Sequence, residues 1–513
     1  MMSLKNIVLN GENLTLENFY EFAHGNSSNF FFSLDPIALK KMHASRQVVL
    51  NTIKNKQTVY GINTGFGSLA TTNIAEKDLA TLQLNLIRSH CAGVGEPFPL
   101  HMTRAIILAR ANCLIRGHSG INPELVQTML HFLNHDICPT IPCKGSLGAS
   151  GDLAPLSHLA LNLIGEGEVF FQNKKMQAIE AFNIIGKKPV VLGPKDGLAL
   201  NNGTAVMLSL GIIAFIEAQN LMRTADVISA LTVDTLRGSI KAFDPKISDL
   251  KPHTGQVISA KNIFNLLQNS EILNSHVSCH RVQDAYSLRC IPQVHGACRQ
   301  TLRHAEEVLS VELQSVTDNP LIFTEENEII SGGNFHGEAL ALCLDYLTMG
   351  LSELANISER RINKLMDPHF SELSAFLTKD AGLSSGFMIA HYTCASLVSE
   401  NKVLCHPASV DSIPTSLEKE DHVSMGLGAA LKLQKVLENA QIILGTELMC
   451  AVQALDLLRP LKTSPTLEKV YSLVRQNIPP LEEDRVLSGD MEKMQKIIKG
   501  DNFLSLILTE NIS

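Results

Sequence analysis

The chain has 513 residues, 45% of them hydrophobic and 18% charged, with a formal net charge of −8. This balance suits a large packed globular protein and excludes an intrinsically disordered one. No basic block is present to track a nucleic-acid backbone, and the absence of Trp leaves packing to aliphatic side chains, which favours helices.

The first thirty residues or so show no strong period. Asp35 and Pro36 fit an N-cap and first helical position, predicting a helix to about Asn55. Tyr60 to Gly67 (YGINTGFG) is a glycine-rich loop, and helical patterns follow at about 76–91, 101–117 and 123–135. Small residues from Pro139 to Gly151 argue against a helix; Asp152 then opens one, with Pro155 tolerated in its first turn. Residues 166–192 alternate in pattern and contain Lys- and Gly-bearing turns, which predicts short strands. Beyond them, long helices are expected at about 204–236, 294–314, 334–366 and 422–457. The expected fold is therefore mainly α: an elongated bundle of long helices with a mixed N-terminal part. The expected boundary lies near 195–200, dividing residues 1–195 from 196–513.

Eleven cysteines are scattered without a C-x-x-C pair, which fits reduced thiols in a cytosolic protein. His276 and His280 flank Cys279, but no further ligands accompany them, so no metal is expected. The N-terminus lacks a secretory pattern. The apolar run from Ala205 to Ile216 is too short to span a bilayer and reads as a buried helix. A cytoplasmic protein without membrane or nucleic-acid partners is expected.

The informative string is Gly145-Ser-Leu-Gly-Ala-Ser-Gly-Asp-Leu-Ala-Pro-Leu156. In a tight turn, the amide nitrogen of Gly151 can attack the carbonyl carbon of Ala149 and close a five-membered ring. Loss of water from that adduct and of the Ser150 hydroxyl leaves an exocyclic methylene, a conjugated electrophile. Gly151 and the small Ala149 permit the close approach, and Gly145 and Gly148 permit a strained backbone. The helix opening near Asp152 should aim its positive end at the ring. Ala-Ser-Gly alone would read as a plain glycine-rich loop capping a helix; the whole twelve-residue string changes that reading.

That string resembles the signature of the histidine/phenylalanine ammonia-lyase family, whose prosthetic group is methylidene-imidazolone (MIO). The resemblance continues through Tyr60–Gly67, Asn202-Gly203-Thr204, Gln283–Cys290, Ser315–Pro320, Gly333–Gly337 and the run from His406 to Met425. It implies a mostly helical homotetramer, with active sites assembled from three chains and MIO formed from Ala149, Ser150 and Gly151 without an external cofactor. It also implies roles. Tyr60 would be the base on the β-proton, needing a lowered pKa. Arg289 would grip the substrate carboxylate through paired hydrogen bonds, with Gln283 beside it. Asn202 and Tyr286 would hold the ring oxygen and the amine end, and Phe335 would pack beside the ring and keep water out.

Ser89-His90 and Glu420 resemble the family's histidine branch; members acting on tyrosine typically carry His-Leu at the pair, those acting on phenylalanine apolar residues, and the aromatic lyases an amide in place of Glu420. An imidazole has a polar edge that is costly to bury unpaired, so a histidine and a carboxylate facing it suit L-histidine. The implied reaction is non-oxidative deamination to trans-urocanate and ammonia, the first step of histidine breakdown. Lys419 departs from the amide usual there; it could tune Glu420 or Tyr60, or point to solvent. His336, beside Phe335, could support the site from behind. A tyrosine or phenylalanine lyase, an MIO aminomutase, or a non-catalytic helical scaffold are the alternatives.

Overall fold

A computed structural model of the chain describes residues 4–276, 282–509 and 512. Cys279 and His280 fall outside the described residues.

Local chemistry sets several of the expected starts. Asp35 accepts hydrogen bonds from the amides of Ile37 and Ala38 and opens Pro36–Lys54; Asn122 caps Pro123–His135 in the same way. Residues 5–34 hold more regular structure than their period suggests. Strands Lys5–Leu9 and Phe30–Leu34 pair in parallel, and the helix Leu16–His24 supplies the crossover that a parallel pair requires. That helix begins with a reciprocal cap. Thr15 Oγ1 accepts from Asn18 N, while Asn18 Oδ1 accepts from Thr15 N. Strand structure in 166–192 ends early: Glu168–Phe171 and Lys174–Gln177 form a hairpin turning through Gln172 and Asn173 at positive φ, and Ala178–Ile184 is helical because Ala178, Ala181 and Phe182 share one buried face.

The four long helices run Ala205–Thr235, Ile291–Leu313, Glu338–Met366 and Gly426–Leu458. Two start four residues later than expected, because the turns before them hold irregular backbone, with Met425 at φ +55°. The apolar run at Ala205 is not short. It continues to Thr235, and this helix, Glu338–Met366 and Gly426–Leu458 are each long and apolar enough to cross a membrane, although most of each apolar window is buried within the molecule.

The chain divides into two compact units. The first comprises Met1–Ile216, Glu306–Asp345 and Pro407–Leu431 and contains every described strand. Within it, Leu79–His90, Leu153–Leu163 and Asp196–Asn201 pack on one another, and Val94–Pro97 pairs with Pro142–Lys144 just ahead of the glycine-rich string. The second unit comprises Glu217–Ala305, Tyr346–His406 and Lys432–Ser513, and its described elements are all helical. Two buried carboxylates cross-link its helices. Glu447 receives Arg361 at 2.6 and 2.8 Å, Thr232 at 2.7 Å and Ser358 at 2.6 Å. Asp226 receives His295 and Arg299, both at 2.7 Å, and Asn262 at 2.9 Å. Burial alone would raise the Asp226 carboxyl, but Arg299 and His295 outweigh it and hold it well below the usual carboxylate range.

Glu447→Ala leaves the Arg361 guanidinium buried without its counter-charge, which costs roughly 3–5 kcal/mol. The denaturation midpoint of that variant is expected to fall clearly below that of the unmodified protein; an unchanged midpoint would show that Glu447 does not organise the second unit.

Candidate functional site

The glycine-rich string is a folded ribbon in the first unit. Gly148, Ser150 and Gly151 all lie at positive φ (+79°, +53° and +79°), and Gly151 N donates to Gly148 O at 3.3 Å. Gly151 then lies alongside Gly203: Gly203 N donates to Ser150 O at 3.1 Å, and Asp152 N donates to Gly203 O at 2.7 Å. A Cβ at Gly151 would collide with the Gly203 carbonyl, and one at Gly203 with Arg110 and Thr317. Both positions therefore need glycine for close backbone approach. On its other side the ribbon is held by Met425 N, which donates to Leu147 O at 2.8 Å.

The helix opens at Asp152 as expected, but the Asp152 side chain does not cap it. Leu153–Leu163 begins without a side-chain cap, and the Asp152 carboxylate instead accepts from Val206 N and Met207 N, both at 2.9 Å, in the first turn of Ala205–Thr235. Ser146 Oγ donates to it as well, at 3.3 Å. Burial pushes this carboxyl up to about 7, against the lowering effect of the two amides, Ser146 and Arg110.

Behind the ribbon lies a polar group that sequence reasoning missed. Lys195 and Asp318, both fully buried, pair at 2.8 Å, and Asp318 also receives the Asn202 amide at 2.9 Å. Asn202 Nδ2 makes a second bond to Asn319 O at 3.3 Å, so its amide hydrogens are committed there. Arg110, also buried, donates to Ala199 O and Thr317 O. Burial lowers the Lys195 pKa, with Asp318 opposing it. Asn201 is buried and donates to Ser157 Oγ at 3.0 Å. Lys195 and Asp318 lie 123 residues apart, and only the Asp-Asn-Pro motif around Asp318 hinted at a special site.

Tyr60, His90 and Glu420 also gather in the first unit. Ile62 anchors the Tyr60 loop in a core with Val48, Val49 and Ile322. The phenol oxygen accepts from Gly67 N at 3.5 Å, and Gly67 sits against the Ser416 side chain. Ser416, Leu417 and Glu418, all at positive φ, turn the chain so that Thr415 pairs with Glu420 and Thr415 Oγ1 donates to its carboxylate at 3.2 Å. Lys419 is exposed. Ser89 Oγ donates to Leu86 O at 3.1 Å and lies 3.1 Å from His90 Nδ1. Burial raises the Tyr60 pKa, and Glu420 and Asp318 raise it further, while the Gly67 amide opposes them. This runs against the lowered value expected of a base, because burial disfavours the phenolate and the Glu420 and Asp318 charges add to it. Burial lowers the His90 pKa, opposed by the Leu86 backbone and Glu420.

Phe335 is half-buried in the turn before Glu338–Met366. That turn reaches the ribbon's neighbour: Gly337 packs against Met207 and Ser424. Gln283, Tyr286 and Arg289 belong to the second unit. Tyr286 is 71% exposed, and the Arg289 guanidinium lies 4.5 Å from its ring centre while Nε donates to Asp284 O. Gln283 is exposed.

Residues 14–476 match the family described as aromatic amino acid lyase. The chain is 49% identical over 494 residues to a histidine ammonia-lyase from Natranaerobius thermophilus, covering 96% of each protein. It is 48% identical over 501 residues to the human histidine ammonia-lyase, covering 96% of this chain and 76% of that one. Among solved structures it is similar to histidine ammonia-lyase from Trypanosoma cruzi, with a TM-score of 0.91, 44% identity and coverage of 99% and 96%. It is also similar to tyrosine aminomutase from Streptomyces globisporus, with a TM-score of 0.91, 36% identity and coverage of 99% of both chains.

The raised Asp152 pKa has a definite sign in stability. The folded chain holds a proton that the unfolded chain releases near pH ~4. The stabilisation is complete below that pH and is lost as pH rises through about 7. Asp152→Asn is therefore expected to flatten the decline in denaturation midpoint across this window. Parallel declines in the two proteins would show that the carboxyl titrates normally.

Proposed function

The chain belongs to the aromatic amino acid lyase family, and from that premise we propose that it removes ammonia from L-histidine and releases trans-urocanate. One observation carries the choice of substrate. Glu420 acts electrostatically on both His90 and Tyr60, so one carboxylate serves the imidazole and the phenol together. The polar edge of an imidazole substrate finds an acceptor and a donor there, and an apolar ring would leave both unpaired. The relatives named above as histidine ammonia-lyases point the same way.

Ala149, Ser150 and Gly151 fit the residues from which the family's MIO group forms. The ribbon is bare of side chains at Gly151, strained at Ser150, and clamped on both sides by Gly203 and Met425. When formed, that group supplies an electrophile that makes the substrate amine a better leaving group. The remaining work falls to side chains. Tyr60 takes the β-proton. Glu420 accepts the imidazole N–H, and His90 meets the ring's other edge. Asn202, its amide hydrogens held by Asp318 and Asn319, has its carbonyl oxygen left for the amine end. Phe335 excludes water. Gln283 and Arg289 bind the carboxylate and Tyr286 supports the amine end, delivered by neighbouring chains of a cytoplasmic homotetramer. The Arg289 cation then offsets the negative charges that raise Tyr60.

Absorbance in the urocanate band, followed with L-histidine, tests the reaction. Urocanate is expected from the unmodified protein and none from Ser150→Ala. Coumarate or cinnamate from tyrosine or phenylalanine in place of urocanate would refute the substrate, as would a β-amino acid product. A second outcome follows from the charges on Tyr60. Glu420→Gln removes a group that raises its pKa, so the acid limb of the kcat/KM profile should move to lower pH even as histidine turnover falls. An unmoved limb would mean that another group is the base.

A further inference from the structure

We propose that His336, Glu338 and His422 form a binding site for a divalent transition metal of the zinc class. This rests on no reading of the reaction. The three residues come from two turns of the first unit. His336 and Glu338 flank the start of Glu338–Met366, and His422 lies four residues before Gly426–Leu458. One ligand atom from each lies within 4.8 Å of the others. The imidazoles are stacked, with ring centres 5.5 Å apart and planes 29° apart.

Their nitrogens converge: His422 Nδ1 lies 3.4 Å from His336 Nε2, which is itself 3.3 Å from the His422 carbonyl oxygen. A good N–H···N bond is shorter than this. Two nitrogens bound to one tetrahedral zinc ion, each about 2.0–2.1 Å from the metal, are separated by about 3.4 Å. The carboxylate supplies the third donor. Glu338 Oε2 is buried and makes no hydrogen bond among the described residues, an expensive state for a carboxylate oxygen unless a cation meets it. His₂Glu is a known zinc donor set that leaves a fourth position for water, and the exposed side of His422 provides the way in. No spacing in the sequence exposes the set, since the two histidines are 86 residues apart.

Occupancy would tie the turn carrying Phe335 to the loop carrying Glu420, two residues before His422. The metal would therefore act as a clasp on that loop.

Cobalt(II), titrated into the chelator-treated full-length protein, tests the proposal. One tight equivalent per chain is expected, displaced by zinc. Its visible bands should be those of nitrogen and oxygen ligation, without the near-ultraviolet thiolate band that a site on the chain's cysteines would give. His422→Ala and Glu338→Gln should each weaken binding by at least about tenfold, with far-ultraviolet circular dichroism reporting that each variant is folded. Absence of tight binding, a thiolate band, or unchanged affinity in either folded variant would overturn the proposal.

Discussion

The carboxylate of Asp152 joins two helix starts that lie far apart along the chain. Its backbone ends the glycine-rich ribbon and opens Leu153–Leu163, while its side chain occupies the first turn of Ala205–Thr235. The two orphan amides of that turn gain an acceptor, and the ribbon gains a fixed position. Everything placed by the ribbon depends on this: the contact of Gly151 with Gly203, the approach of Arg110 and Thr317 to Gly203, and the seat of Met425 on Leu147. Glycine at 151 and 203 is a consequence of the same constraint, because backbone meets backbone there.

Burial acts on the surrounding groups in opposite directions according to their charge. It raises the acids Asp152 and Tyr60 and lowers the bases Lys195 and His90, so each is pushed toward its neutral form. The Asp318 carboxylate illustrates the compensation. Lys195 and Asn202 share it, which holds Asn202 in place while its charge reaches Tyr60. Burial first, and then the charges of Glu420 and Asp318, hold the Tyr60 phenol toward its neutral form within the single chain.

Much of this was legible in the sequence where the governing chemistry is local. Asp35-Pro36 and Asn122-Pro123 announce helix starts, and the string from Gly145 to Leu156 announces its turn through its small residues. The helix at Leu16–His24 was less visible because Asn18 stands where a capping box usually has Glu or Gln. Partners far apart in sequence were not legible at all: Asp152 with Val206 and Met207, Lys195 with Asp318, and His336 with His422. No periodicity records such pairs. The sequence marks Asp152 as the start of its own helix, and only the fold reveals that its side chain serves a second helix start. Among the site residues, Tyr60, His90, Asn202 and Glu420 gather in the unit that holds the ribbon, while Gln283, Tyr286 and Arg289 sit in the other, a division that their motifs did not foreshadow.

The mass of the proteolytic peptide containing Ala149, Ser150 and Gly151 tests most directly whether the clamped ribbon builds an electrophile. In the unmodified protein this peptide is predicted to be lighter than its sequence by the waters lost in ring closure and methylene formation, and in Gly203→Ala to carry its full mass. A full-mass peptide in the unmodified protein, or a fully dehydrated one in Gly203→Ala, would contradict the role given to the ribbon and its clamp.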